Sequence, residues 1–164
     1  MKPNVISADV QAILNARIGD EYKAFYHYRA AANYCKGAGY KYAGAYFEKE
    51  AENELEHAKG IEAYLVDWNA EPTLFSIGSA PIFTSLVEVI NASYALEYAL
   101  YEAYEKDSVT LMDANEVCTF DFLQKYRTIQ NESVAEYSDM LNELELIDAD
   151  DKFQVYYFEK RVFK

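Results

Sequence analysis

The chain reads as an all-α protein, a four-helix bundle with one long crossover between its second and third helices and a short fifth helix at the C-terminus. Three observations predict this. Breakers are few, three prolines and six glycines among 164 residues, and Gly37, Gly39, Pro72, Gly78 and Pro81 cluster where helices would end. Between those breaks the apolar residues recur at the helical period. Four of the amphipathic segments each carry one oxygen-bearing side chain near mid-length, Glu21, Glu54, Glu97 and Gln130, as ligands built into a bundle core would be. A chain of this length suits one domain, 1–164, with the bundle over about 7–145 and the fifth helix over about 150–163.

Ser7 can cap a first helix reaching about Lys36, whose inner stripe is Val10, Leu14, Ile18, Glu21, Phe25, Tyr28 and Ala32. Gly37 to Gly39 then stop it, and the short turn predicts an antiparallel second helix over about Lys41 to Asp67. That helix places Phe47, Glu50, Glu54, His57, Ile61 and Leu65 on one face. From Trp68 to about Pro81 the periodicity lapses. A connection of about fifteen residues reaches ~50 Å when extended, against roughly 40 Å for the helix before it, so the third helix can start at the far end and run parallel to the second.

Ser85 and Glu88 offer a capping box for the third helix, which carries Ile90, Tyr94, Glu97, Tyr101 and Tyr104 and ends near Leu111. Met112 to Asn115 form a short turn, so the fourth helix, with Leu123, Tyr126, Gln130, Ser133, Tyr137, Leu141 and Leu144, returns antiparallel to the third. Asp148 to Asp151 break the chain and cap a final segment, Phe153 to Phe163, which is too short to be a core and should dock on its own bundle or on a neighbour. Cys35 and Cys118 fall at opposite ends of such a bundle. A disulfide needs Cα atoms within about 7 Å, so both are expected to be free thiols.

The net charge of −13 speaks against nucleic acid or an anionic membrane as partner and favours cations. No leader-like segment and no membrane-length apolar run is present, so a soluble, cytoplasmic protein is expected. The 16 tyrosines are expected chiefly to fill helix interfaces. His27 lies beside the apolar stripe and reads as a surface or interface histidine.

Glu54 and His57, three residues apart, share one helix face. In this topology Glu21, Glu54, Glu97 and Gln130 reach one level of the bundle. Unpaired carboxylates among Leu, Ile and Phe would be costly, and a bound cation is the simplest compensation. Carboxylates with a single imidazole suit Fe(II) or Mn(II) better than a structural zinc, and iron is the expected ion. A two-metal division gives Glu21 and His57 to one ion, Glu97 and Gln130 to the other, and makes Glu54 the bridge. Gln130 could equally satisfy its amide by hydrogen bonds. Tyr28, two turns after Glu21, could hydrogen-bond a ligand, donate an electron, or serve as one more packed aromatic.

These residues resemble the ferritin family across nearly the whole chain: Leu14-Asn15 through Glu21, Tyr28, the run Ala51-Glu52-Asn53-Glu54-Leu55-Glu56-His57, Glu97, and Phe122-Leu123-Gln124 leading to Gln130. The resemblance implies a ferroxidase centre with Glu21, Glu54, His57 and Glu97 as iron ligands, Gln130 as the polar residue of the fourth helix, and Tyr28 as the neighbouring tyrosine. It also implies a homo-oligomeric 24-subunit shell that oxidises Fe(II) with oxygen or peroxide and stores ferric mineral. No second Glu-x-x-His follows Gln130, which separates the chain from bacterioferritins and rubrerythrins. Leu55 stands where a haem-binding methionine would, so no haem is expected; Asn53 and Ser133 stand where acids of a third iron site would be. Asp121 is a candidate for an iron entrance. The rival readings are a di-metal oxidase of the same fold acting on an organic substrate without storage, and a non-catalytic bundle or shell subunit.

Overall fold

The computed structural model describes residues 6–164. Five helices follow in order, α1 (Ala8–Ala38), α2 (Lys41–Asp67), α3 (Leu86–Asp113), α4 (Val117–Leu144) and α5 (Lys152–Val162). The Ser7 hydroxyl accepts from the Val10 amide at 3.2 Å and opens α1. Gly39 closes it at φ 90°, a left-handed turn that a side chain would strain, with backbone bonds returning to Cys35 and Lys36. The Ser85 hydroxyl accepts from the Glu88 amide at 3.0 Å and opens α3. The reciprocal half of the expected capping box is displaced by one residue. The Glu88 carboxylate accepts from the amide and hydroxyl of Thr84, at 2.8 and 2.7 Å, instead of from Ser85.

Cross-helix partners fix the topology. Tyr22 pairs with Glu62 and Arg29 with Glu48, so α1 and α2 are antiparallel. Arg127 pairs with Glu105 and Gln130 with Glu97, so α3 and α4 are antiparallel. Tyr28 pairs with Glu97 while Tyr104 pairs with Glu21, so α1 and α3 are antiparallel too. Both α2 and α3 oppose α1 and therefore run parallel, which is why a connection spanning the bundle joins them.

The buried apolar residues form two clusters. One gathers Tyr28, Ala32, Phe47, Ile90, Tyr137 and Leu144. The other gathers Leu14, Ile18, Ile61, Tyr104, Leu123 and Tyr126. On each of the four long helices the changeover from one cluster to the other falls where Glu21, Glu54, Glu97 and Gln130 stand, all of them buried. A polar layer thus divides an otherwise apolar core.

The fifth helix docks on its own bundle. Val155 and Phe158 are buried in the first cluster. Glu159, 1 % exposed, accepts from the Tyr42 amide at 2.6 Å and the Ala43 amide at 2.9 Å, capping α2, which has no side-chain cap of its own. Among the described residues Cys35 is a buried free thiol and Cys118 an exposed one, and no helix is long and apolar enough to cross a membrane.

Candidate metal centre

Helical period carries Glu54 and His57 of α2 into the polar layer, opposite Glu21 of α1. One ligand atom from each of these three lies within 4.8 Å of the others. His57 Nδ1 stands 3.1 Å from Glu54 Oε2 and 3.5 Å from Glu21 Oε2. Glu21 Oε1 accepts from the Tyr104 hydroxyl. Its other oxygen, Oε2, is buried and has no hydrogen-bond partner among the described residues. A buried carboxylate oxygen that makes no hydrogen bond and lies 3.5 Å from an imidazole nitrogen, beside a second carboxylate, fits a divalent cation, which would coordinate it directly.

Glu97 completes the layer differently. Tyr28 donates to its Oε1, and the Gln130 amide donates to its Oε2 and to its backbone carbonyl. Both carboxylate oxygens are thus already engaged, and Glu97 stands outside the compact set of three. Gln130 makes the hydrogen bonds that a buried amide requires, and Tyr28 engages a carboxylate instead of merely packing.

The electrostatics follow from burial. Burial pushes the Glu54 carboxyl well above the usual carboxylate range, and neighbouring Glu21 and Glu97 add to the effect. Burial also pushes Glu97 up to about 7, although its bonds from Tyr28 and Gln130 pull the other way. For Glu21 burial acts upward as well, but interactions with His57 and Glu54 outweigh it and hold the carboxyl below its ordinary value. For His57 burial acts downward and is outweighed by Glu21 and Glu54, which lift the imidazole to about 10. The upward shifts of Glu54 and His57 both favour bound protons, which offset the charge of the neighbouring carboxylates.

Two readings sharpen. Of the two alternatives for His27, surface or interface, the structure gives an interface between helices: it is 7 % exposed, its Nε2 lies 2.9 Å from the Ser93 hydroxyl, and its ring meets Tyr28 and Phe83 edge-on. A bundle helix faces two neighbours, so its buried arc is wider than the seam with α2, and His27 lies on the side facing α3. Tyr104, read only as a stripe residue, touches the site. Its spacing carried the signal, since Tyr104 follows Glu97 by the same seven residues by which Tyr28 follows Glu21. Tyr126 is a further neighbour, its ring edge-on to His57 at 5.7 Å between centroids.

The family described as Ferritin-like domain matches residues 11–147. The chain belongs to the ferritin family. Among its curated relatives, the bacterial non-heme ferritin of Staphylococcus aureus (strain MRSA252) is 26 % identical over 159 residues, covering 96 % of this chain and 95 % of that protein. The bacterial non-heme ferritin of Campylobacter jejuni is 26 % identical over 144 residues, covering 87 % and 86 %. Among solved structures, an open pore ferritin from the hyperthermophilic archaeon Archaeoglobus fulgidus superimposes with a TM-score of 0.88 at 23 % identity, covering 96 % of this chain and 97 % of that one. That last likeness is one of fold. In this ferritin bundle a cavity of about 690 Å³ lies between α1 and the crossover, lined by Tyr22, Phe25, Tyr26, Leu74, Phe75 and Gly78 among others. None of the candidate ligands lines it.

Proposed function

We propose that the chain is an iron-storage subunit with ferroxidase activity, taking Fe(II) as substrate and oxygen or peroxide as electron acceptor. In this reading it assembles as a homo-oligomeric shell of the ferritin type and holds the ferric product as mineral. The observation that carries it is the convergence of Glu21, Glu54 and His57, where the buried Glu21 Oε2 makes no hydrogen bond among the described residues and meets His57 Nδ1 at 3.5 Å. Glu21 and His57 would hold one Fe(II), Glu97 with Gln130 the second, and Glu54 would bridge them. The two places differ in readiness. Three donors already converge at the first, whereas the second requires Glu97 to release Tyr28 or Gln130. Two adjacent Fe(II) ions can deliver two electrons to one dioxygen, which a single ion cannot. Tyr28, bonded to Glu97, is placed to supply a further electron or to hold that ligand. Family membership supports the storage role.

Anaerobic loading with Fe(II), followed by oxygen, tests the reading. About two tightly bound Fe(II) per subunit and continued mineral growth in a large shell are expected. The Glu54→Ala variant should lose the fast oxidation phase and keep its helical circular dichroism. Fast oxidation that survives in this variant refutes the bridge; a small oligomer that oxidises its bound iron and stores none points instead to a di-metal oxidase.

A further inference from the structure

One charged side chain beside the polar layer is buried in a way that a simple helix tether does not require. Arg17 stands one helical turn before Glu21 on α1 and is 9 % exposed. Its Nη2 meets Asp20 of the same helix at 3.0 Å, and its Nε meets Asp107 of α3 at 3.4 Å. The second contact lacks hydrogen-bond geometry: Arg17 Nε and Nη1 and Asp107 Oδ2 are all buried and make no hydrogen bond among the described residues. A guanidinium that only tied α1 to α3 would use its planar fork to give the carboxylate two parallel bonds. Here it lies over Tyr104 instead, its central carbon 5.8 Å from the ring centroid. The face of an aromatic ring attracts a guanidinium, and more strongly where both are out of water. Tyr104 is fully buried, and its hydroxyl donates to Glu21 Oε1.

We infer that Arg17, held between Asp20 and Asp107, is a positioning residue for the first metal place: it fixes the Tyr104 ring, whose hydroxyl keeps Glu21 Oε2 turned toward Glu54 and His57. The inference rests on the metal-centre reading above. The Tyr104 hydroxyl sits at the far end of its ring, so a small swing of the side chain takes it out of reach of Glu21. Two neighbours confine that swing. Tyr126 stacks on the ring with centroids 6.0 Å apart and planes 13° apart, and Arg17 supplies the other contact. Asp107 follows Tyr104 by three residues on α3, on the same face, so it ties the cation to the helix that carries the tyrosine. While Tyr104 engages Oε1, only Oε2 is left for a cation, and a ligand already oriented costs less to order on binding. The carboxylates of Asp20 and Asp107 offset the charge of Arg17, so the guanidinium can stand near a cation site without opposing it.

Co(II), which does not oxidise in air and whose visible spectrum reports its ligands, is the probe, titrated into the assembled protein. Tyr104→Phe removes the hydroxyl and should weaken Co(II) binding about ten-fold. Arg17→Lys keeps the charge and loses the planar group; it should weaken binding several-fold and shift the visible bands. In the Tyr104→Phe background the same substitution should change the affinity less than about two-fold, because the hydroxyl it acts through is already gone. Asp107→Asn, which releases the guanidinium from α3, should repeat this pattern and decides the matter if lysine at position 17 disturbs the fold, which helical circular dichroism checks. Parental Co(II) affinity in both Arg17→Lys and Asp107→Asn, or equal losses with and without the Tyr104 hydroxyl, overturns the positioning role and leaves the metal centre standing. A parent protein that binds no Co(II) overturns the metal centre, and the positioning role with it.

Discussion

Removing the Glu159 carboxylate tests whether the fifth helix belongs to the architecture of the bundle or merely follows it. The second helix starts without a side-chain cap from its own neighbourhood, because Tyr40 offers none. Glu159 reaches across 117 positions of sequence to the Tyr42 amide and 116 to that of Ala43, at 2.6 and 2.9 Å. A hydrogen bond to a charged acceptor contributes about 1.5 kcal/mol at the lower end of its range, so two contribute ~3 kcal/mol. The negative charge at a helix N-terminus adds a further fraction of a kcal/mol. Glu159→Ala loses all of this and leaves the buried Ala43 amide without its acceptor. Glu159→Gln keeps an oxygen acceptor and loses the charge, at roughly half the cost.

Hydrogen exchange is the assay, since it reads local opening without requiring the whole assembly to unfold. At 1.36 kcal/mol per factor of ten, ~3 kcal/mol corresponds to about a hundred-fold loss of protection. The loss is expected at Tyr42 and Ala43, and along α5 from Phe153 to Val162, with Glu159→Gln intermediate. Phe158, 1 % exposed, should retain part of the docking by its burial alone. Parental protection at Tyr42 and Ala43 in the alanine variant would refute the cap and the coupling between the two helices.

Two further predictions concern the core. Burial lowers His27 from 6.5 to about 4, so the unfolded chain takes up a proton that the folded one refuses; stability is intact above pH 6.5 and falls as the pH drops toward 4. Going from pH 8 to pH 5 should cost about 2 kcal/mol through this residue, and His27→Gln, which can keep the Ser93 contact, should flatten the slope in denaturant unfolding; an unchanged slope refutes it. A Cβ on Gly60 would stand 2.4 Å from the Tyr126 hydroxyl oxygen, and the Tyr126 ring rests against His57 and Tyr104. Gly60→Ala should therefore weaken Co(II) binding, followed by its visible spectrum, and cost about 1–3 kcal/mol, whereas Gly60→Ala with Tyr126→Phe should recover most of both. No recovery in the double variant would place the damage elsewhere.

The helices were legible because each rule acts locally. Ser7, Gly39, Ser85 and Asp151 cap or stop a helix through bonds to residues only a few positions away, so the sequence carries the whole signal. The level of Glu21, Glu54, Glu97 and Gln130 was legible for a related reason: four stripes of similar length, joined by two short turns and one long crossover, leave one way to align them. What stayed open or escaped depends on partners distant in sequence. Judged on α1 alone, His27 reads as surface or interface; α3 brings Ser93 and the chain before it brings Phe83, and these decide for the interface. Glu159 looks like a solvent-facing acid of a short helix until the amides of α2 are set beside it.

The tyrosines around the polar layer explain why its carboxylates can be both buried and aligned. Tyr28 lies seven residues beyond Glu21, and Tyr104 seven beyond Glu97. If α1 and α3 ran parallel at this level, each helix would set its tyrosine opposite the other's tyrosine and its glutamate opposite the other's glutamate. Because they run antiparallel, each hydroxyl meets the carboxylate of the opposite helix, Tyr28 with Glu97 and Tyr104 with Glu21. Sliding α3 by one turn, about 5.4 Å, would break both bonds together and leave two buried carboxylates unsupported. The swapped pair therefore selects the register of the two helices. It also leaves Glu21 Oε2 free to face His57 and Glu54, so the contacts that hold the register are the ones that present the ligand.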